Sequence, residues 1–438
     1  FMEYLLFPIR VLQNRFSKGS VKGSIFTLMS ATIGAGVLSL PYAVSDSGVI
    51  WAFIQLVACG FLGYYSNMLL VRAADETKKY SYNSLAKELY GPKFEMFVKL
   101  IFFFNNWGGI VVYTTLINNL IGKSMQVFAP NAPSWITATD GYFWPPVFTT
   151  LVVFPLSLTR ELAALRYFAL LGFVFIIYLS CTVIGESFAL GNFSDNVSLV
   201  FSGENLFKFG GIAKTTPVAF FAFMCQVNTL DVYHELQRPS KRRMKKVLRR
   251  NMMIVFVIYL LVGTFGYITF AQATDELDKQ GNILLNYTTN PIPIVIAYIL
   301  IGVEIMIATP LSVKPTKDSL NDIIHPEMSD ISPSERNETF KSHFILVFLI
   351  TYSQMAVGMF IPVISLGIGF LGTTAYPMIS YIFPAMFLMK TLKPNKVSDR
   401  REKNFLIFFI VAMSLFAIWS TIVWIIDLVD KIQNGKLQ

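Results

Sequence analysis

Hydrophobic and polar positions alternate along this chain in long blocks, not at the short periods of a soluble fold. Apolar blocks cover about 20–44, 49–73, 94–122, 144–159, 167–190, 211–237, 251–272, 291–314, 342–363, 366–389 and 404–428. Most are long enough to cross a hydrocarbon core of about 30 Å as an α-helix. The pattern predicts eleven membrane spans in one all-α polytopic bundle. Residues 1–16 are shorter in their apolar run and carry Arg10 and Arg15, so they read as an amphipathic segment on the membrane surface. Between spans 2 and 3, Tyr82, Leu85, Ala86 and Leu89 fit an interfacial helix that Gly91-Pro92 ends.

Some blocks are interrupted in ways a plain span has no use for. Span 1 contains Ser30-Ala31-Thr32-Ile33-Gly34-Ala35-Gly36-Val37-Leu38-Ser39-Leu40-Pro41-Tyr42-Ala43. Each glycine costs roughly 1 kcal/mol against alanine inside a helix. In lipid, every backbone group set free must find another partner. Two readings follow. Gly34 and Gly36 either let two helices pack closely, or they break the helix at mid-membrane. A break leaves the N–H groups of Ala35, Gly36 and Val37 bare at the start of a second half, where an anion is favoured. Span 6 is interrupted too, holding Lys214, Pro217, Cys225, Gln226, Asn228, Asp231, His234 and Glu235. Span 3 carries Asn105-Asn106-Trp107-Gly108-Gly109 and Tyr113, amides that belong against protein or a water-filled cavity.

Spans 1 and 6 each open a block of five, and the two blocks enter the membrane from opposite sides. That arrangement marks an inverted-repeat transporter, with its substrate at the midplane between the broken helices. The chain then divides into an interfacial segment 1–19, a first repeat 20–190, an outer loop 191–210, a second repeat 211–389, and 390–438 with the last span.

Composition narrows the class further. Of 438 residues, 54% are hydrophobic and 14% charged, well below the roughly 25% charged of a soluble domain. A net charge of +9 would suit nucleic acid, but thirty of the 36 Lys and Arg lie on one side of the predicted bundle. That side is the cytoplasm by the positive-inside rule, which puts the N-terminus in and the C-terminus out. The basic run Arg238 to Lys246 reads as a solvated topogenic loop facing anionic headgroups. Sequons at Asn192, Asn196 and Asn286 fall outside and are candidate glycosylation sites; that at Asn337 falls inside. Cys59, Cys181 and Cys225 have no metal spacing and predict no disulfide framework.

An intramembrane carboxylate is a functional candidate by default. Glu304 in span 8 is the best placed, ahead of Asp231 and Glu186, while His234 reads as a solvated helix-end residue.

At these same residues the sequence resembles the amino acid/auxin permease family, including its sodium-coupled neutral amino acid transporters and vacuolar amino acid transporters. Ile33 to Ala43, Asn106-Trp107-Gly108-Gly109 with Tyr113, and Ala219-Phe220-Phe221-Ala222-Phe223-Met224-Cys225 carry the likeness. It continues through Tyr233, Glu235, Leu236, Arg238-Pro239-Ser240, Arg242-Arg243-Met244, Gly266 to Phe270, Gly369 to Thr374 and Phe383-Pro384-Ala385. The resemblance implies a LeuT-like 5+5 inverted repeat plus an eleventh helix, moving amino acids by alternating access. It implies that Gly34 and the amides of Ala35, Gly36 and Val37 hold the substrate carboxylate. The ammonium would meet carbonyls of Ala31 or Thr32 and of Phe221 or Ala222. Asn106, Tyr113 and Phe223 would select the side chain, and the phenylalanines around the span 6 break suggest bulky or aromatic substrates. Carbonyls of Ser30 and Ile33 remain available where relatives hold sodium, with Ser312 a further candidate. Thr309 could substitute for the family's threonine only if its helix were turned by about 100°. Sodium-coupled members, however, have Asn in place of Ser30 and Thr in place of Ala308. The expectation is therefore proton coupling, with sodium as the alternative and no other cofactor. A monomer suffices for such a carrier, and an acidic vacuolar or lysosome-like membrane is favoured over the plasma membrane. Two other classes stand beside transport: an amino acid sensor without flux, and a membrane enzyme, for which no nucleophile–base pair or metal set is found.

Overall fold

The computed structural model describes residues 19–139, 141–159, 168–189, 193–272, 281–287, 291–326, 339–361, 363–393 and 397–433. The segment 1–16, Asn192 and Asn337 lie outside them. Every regular element among the described residues is helical. Seven single helices are long and apolar enough to cross a membrane, and nine spans result when each of two bent pairs counts as one.

Span 1 is one of the bent pairs. Helix α1 (Val21–Thr32) stops at Ile33, a 3₁₀ turn (Ala35–Ser39) follows, and α2 (Leu40–Ser47) completes the crossing at 52° to α1. Gly48 turns the chain with φ +81° into α3 (Val49–Thr77). A Cβ at Gly48 would stand 2.8 Å from the Leu206 carbonyl, so the position needs glycine on both counts. The interfacial helix is present as α4 (Tyr82–Tyr90), with Tyr82, Leu85 and Ala86 buried and Gly91 ending it at φ +87°. Helix α5 (Pro92–Phe128) is span 3.

Span 4 is α6 (Trp144–Leu158), helical but shorter than the other crossings. Its middle, Thr149–Val153, is a π-turn just before Pro155. Proline supplies no N–H and clashes with the carbonyl four residues back, and the wider turn relieves both. The same device recurs at Met378–Ile382 before Pro384. Span 5 is α7 (Phe168–Ala189), followed by α8 (Phe193–Val200).

Span 6 is broken as expected, into α9 (Ile212–Ala222) and α10 (Gln226–Glu235). The halves before the two breaks have nearly equal lengths, 12 residues in α1 and 11 in α9. Unlike the two bent pairs, these halves do not count as a crossing either singly or together. The remaining spans are α11 (Lys241–Thr269), α12 (Ile292–Ile324), α13 (Phe340–Met359), the bent pair α14 (Ile364–Thr373) with α15 (Ala375–Thr391), and α16 (Val397–Gln433).

Two boundaries differ from expectation. The basic run is not a loop beyond Ser240. Lys241 to Lys246 form the first turns of α11, because the Ser240 hydroxyl caps the Arg243 N–H. Likewise α12 runs to Ile324, about ten residues past the apolar block, with Lys317, Asn321 and Asp322 buried on it. Apolar blocks mark the part of a helix in lipid, and neither helix ends at the membrane surface. The core sits where α5 lies along α12 and where α11 and α15 flank α3.

Candidate functional site

The two breaks meet at the centre of the bundle. In α1 the last amide bond closes from Ile33 N–H to the Met29 carbonyl at 2.8 Å, and the chain then extends through Ile33 and Gly34. Carbonyls from Ser30 onward therefore lose their intrahelical partners. The new helix begins with the Ala35 and Gly36 amides. Val37 departs from the expected trio, because its N–H closes the first 3₁₀ turn onto the Gly34 carbonyl at 3.2 Å. In span 6, α9 ends where Phe223 N–H reaches the Ala219 carbonyl at 3.1 Å, and Met224 and Cys225 lead into α10.

Gly36 makes the meeting possible. A Cβ there would lie 3.1 Å from Ala222 Cα and 3.1 Å from the Phe221 ring. Ala222 thus packs on Gly36 and serves the approach of the two backbones.

A cavity of about 770 Å³, including its open mouth, lies beside the breaks. Ala31, Thr32, Gly34 and Ala35 face it from span 1, Phe221 from α9, and Asn106 and Tyr113 from α5. Sequence reasoning had named all seven. It had given no substrate role to Met224, Asn228 or Tyr376, which also line the cavity. Tyr376 follows the bend at Thr374, and its ring stacks on Phe221 with centroids 4.9 Å apart. The Gly369, Gly372 and Pro377 cluster could have flagged that bend. Phe223 is not in the lining. It is 1% exposed, edge-on to the Tyr259 ring and packed over Gly60. Phe220 is buried against Tyr381 and Phe416. Of the three phenylalanines taken as an aromatic pocket, Phe221 alone faces the cavity.

A second, smaller cavity of about 320 Å³ adjoins the first and shares Gly34, Ala35 and Tyr113 with it. Its other walls are apolar apart from Glu304 of α12. Gly172 of α7 leaves room for that carboxylate, since a Cβ there would stand 3.2 Å from Glu304 Oε1. Asp231 is placed differently: it is exposed on α10 and lines neither cavity. Glu186 is buried near the C-terminal end of α7 and lines neither. His234 is exposed, its ring against Tyr80.

Among the expected ion ligands, Ser312 lines the larger cavity and donates to the Ala308 carbonyl at 3.0 Å. Thr309 is fully buried and donates to the Ile305 carbonyl at 2.7 Å, so its hydroxyl follows its own helix. Ser30 and Ile33 reach the break from the α1 side, where Ile33 is buried. No group of three or more His, Cys, Asp or Glu among the described residues could hold a metal ion. The sequons Asn196 and Asn286 are 8% and 4% exposed, and a glycan on either requires the outer segments to open.

The span 6 break is held by a buried polar network that no motif announced. Gln226 Oε1 accepts the Cys225 N–H at 3.0 Å while its amide donates to Ser66 of α3 at 2.9 Å. Thr229 donates to Asn67, and the Asn67 amide also faces Cys225 Sγ at 3.4 Å. Asn251 of α11 donates to the Thr32 hydroxyl at 3.2 Å, linking this network to α1. On the opposite side of the breaks the packing is closed. The Ser39 hydroxyl donates to the Gly281 carbonyl at 2.6 Å, and the buried Ile283–Asn286 turn presses on Pro41 and Gly266.

An all-helical membrane bundle whose discontinuous helices turn bare backbone toward a central cavity belongs to the class of secondary transporters in its architecture. The sequence profile of the family described as transmembrane amino acid transporter protein matches residues 17–426, and the chain belongs to that family, the amino acid/auxin permeases. It is 25% identical over 385 residues to solute carrier family 38 member 10 of Mus musculus, a match covering 85% of this chain and 33% of that protein. To the sodium-coupled neutral amino acid symporter 2 of Danio rerio it is 23% identical over 416 residues, covering 89% of this chain and 79% of that protein. The chain thus spans about a third of the length of the first relative and most of the second.

Proposed function

We propose that this chain is a secondary active carrier of neutral amino acids that works by alternating access and couples uptake to protons through Glu304. The observation that carries the reading is the pair of adjoining cavities at one helix break. The larger is lined by Ala35, whose amide opens the second half-helix and suits a carboxylate, and by Ala31 and Phe221, whose carbonyls suit an ammonium. The smaller holds one carboxylic acid in apolar walls, a group that can carry a proton across if each side reaches it in turn. Tyr113 stands in both cavities and can report occupancy of one to the other.

Val227, Asn228 and Ser312 in the lining lie on the halves of α10 and α12 that lead to the Lys- and Arg-rich end. With that end cytoplasmic, the molecule faces inward. The closed packing at Ser39 and Gly281 is then the outer gate. Eleven crossings, two inverted blocks of five and then α16, with α6 and the α9–α10 pair added to the nine, account for this arrangement. Sodium coupling is the second reading. It is supported by Ser312 in the cavity and by the sodium-coupled symporter of Danio rerio.

The test is uptake of a panel of labelled amino acids into proteoliposomes under separate pH and sodium gradients, with wild type and Glu304→Gln. Accumulation driven by pH and lost in the variant is expected. Accumulation driven by sodium alone would assign the coupling to the Ser30, Ile33 and Ser312 region instead. Saturable binding without flux would make the protein a sensor.

A further inference from the structure

The helix before each break ends at the midplane with its carbonyls toward the other. Each such end carries a partial negative charge of about half an electron. Two of them face to face repel, and where they are buried something must answer both. The structure places Tyr259 of α11 there. Its hydroxyl lies 3.0 Å from the Thr32 carbonyl oxygen and 2.8 Å from the Ala222 carbonyl oxygen. Both oxygens accept from one O–H, which holds a single proton and serves them in turn. The residue is 0% exposed, and its ring is fixed edge-on against Phe223 with centroids 5.1 Å apart. Asn251, two turns earlier on the same helix, holds the Thr32 hydroxyl. Helix α11 therefore grips the end of α1 at two points and the end of α9 at one.

We propose that Tyr259 is a positioning residue for the substrate ammonium. By binding the Thr32 and Ala222 carbonyls, it fixes the two helix ends. It leaves as ammonium acceptors the Ala31 carbonyl and the second lone pair of the Phe221 carbonyl, whose first accepts the Met224 N–H at 3.3 Å. Both residues line the cavity. Of the four carbonyls that the family resemblance offered, two are thus assigned to the protein and two to the ligand. The proposal rests on the reading of the larger cavity as an amino acid site.

The test uses the full chain in proteoliposomes. Wild type and Tyr259→Phe are compared in uptake of the amino acid wild type accumulates best. Competition is measured with that amino acid, its α-N-methyl derivative and the corresponding des-amino acid. Loss of the hydroxyl is expected to raise KM about tenfold with Vmax within about twofold, the effect of one hydrogen bond. Competition by the des-amino acid should not change, since it has no ammonium to place. A contact that only stabilised the fold would lower Vmax or weaken all three competitors together, and either result overturns the proposal. So does a Tyr259→Phe protein that fails to fold, because the hydroxyl is then a folding contact. If wild type binds amino acids without flux, the transport reading fails, and the same comparison is read as Kd. Wild type that neither binds nor transports sinks the site and this role together.

Discussion

At the α1–α2 break the chain leaves the helix through Ile33 and Gly34, and its freed backbone faces a cavity. At the α9–α10 break it leaves through Phe223, Met224 and Cys225, and side chains take up the freed groups. Gln226 caps Cys225, while Asn67, Ser66 and Asn251 surround the turn from two other helices. Both breaks face the same accounting, since every buried backbone group needs a partner. The first leaves places for a ligand to fill. The second is satisfied from within except at the Phe221 carbonyl, and its α10 side acts as the frame against which the first is positioned. A transporter needs both kinds: a site with unspent hydrogen-bonding capacity, and a fixed reference that keeps its geometry while the bundle rocks.

The largest effect should come from separating the two. Gly36→Val drives side-chain atoms into Ala222 Cα and the Phe221 ring, already 3.1 Å from a bare Cβ. Overpacking of this kind costs about 2–3 kcal/mol, so uptake should fall roughly 100-fold. Retained uptake would show that the breaks need not touch. Next is Gln226→Ala, which removes a cap and a cross-helix bond at a fully buried position. About 1–3 kcal/mol of stability should be lost, read as a lower melting temperature, with KM within about threefold of wild type. A large KM change at normal stability would mean that the α10 side of the second break also touches substrate.

The difference between the breaks also explains what could be read from sequence. Gly34 and Gly36 are backbone signals, and a glycine pair inside an apolar block is legible because its cost must serve something. The second break contains neither glycine nor proline. It was visible only as excess polarity around Gln226 and Asn228, and its position relative to Phe221 and Phe223 was not. Two phenylalanines two residues apart have opposite fates because the helix ends between them, and no periodicity places that end. Tyr259 was silent for a similar reason: a tyrosine in an apolar helix is ordinary until two helix ends are found at its hydroxyl. Nine of the eleven expected spans were legible because hydropathy reports lipid, while those expected at 144–159 and 211–237 are not helices long and apolar enough to cross. The overrun of α11 and α12 was not legible, since polar turns beyond the membrane obey capping and burial instead.

Those two phenylalanines supply the third prediction. Phe221→Leu should alter affinity about three- to tenfold and shift the ranking among substrates, because it strips the Tyr376 stack from the cavity wall. Phe223→Leu should cost about 1 kcal/mol of stability and leave the ranking unchanged. A reversed outcome would move the substrate to the other side of α9.

The smallest effect is expected at Asn228, and it bears most directly on the contrast between the breaks. Asn228 is exposed, follows the second break by one turn, and lines the larger cavity, while its N–H is already bound to the Cys225 carbonyl at 3.1 Å. Its side-chain amide is the one polar group through which α10 could bind substrate from the cavity mouth. If the second break is only a frame, that amide is solvated whether or not substrate is present. Asn228→Ala then exchanges one watered surface for another, and KM should stay within about twofold. A tenfold rise would mean the amide gives up its water to bind substrate, and the division of labour between the breaks would have to be abandoned. The same substitution should leave the melting temperature unchanged, which separates it from Gln226→Ala two residues earlier. The pair tests whether function and framework part company within a single turn of α10.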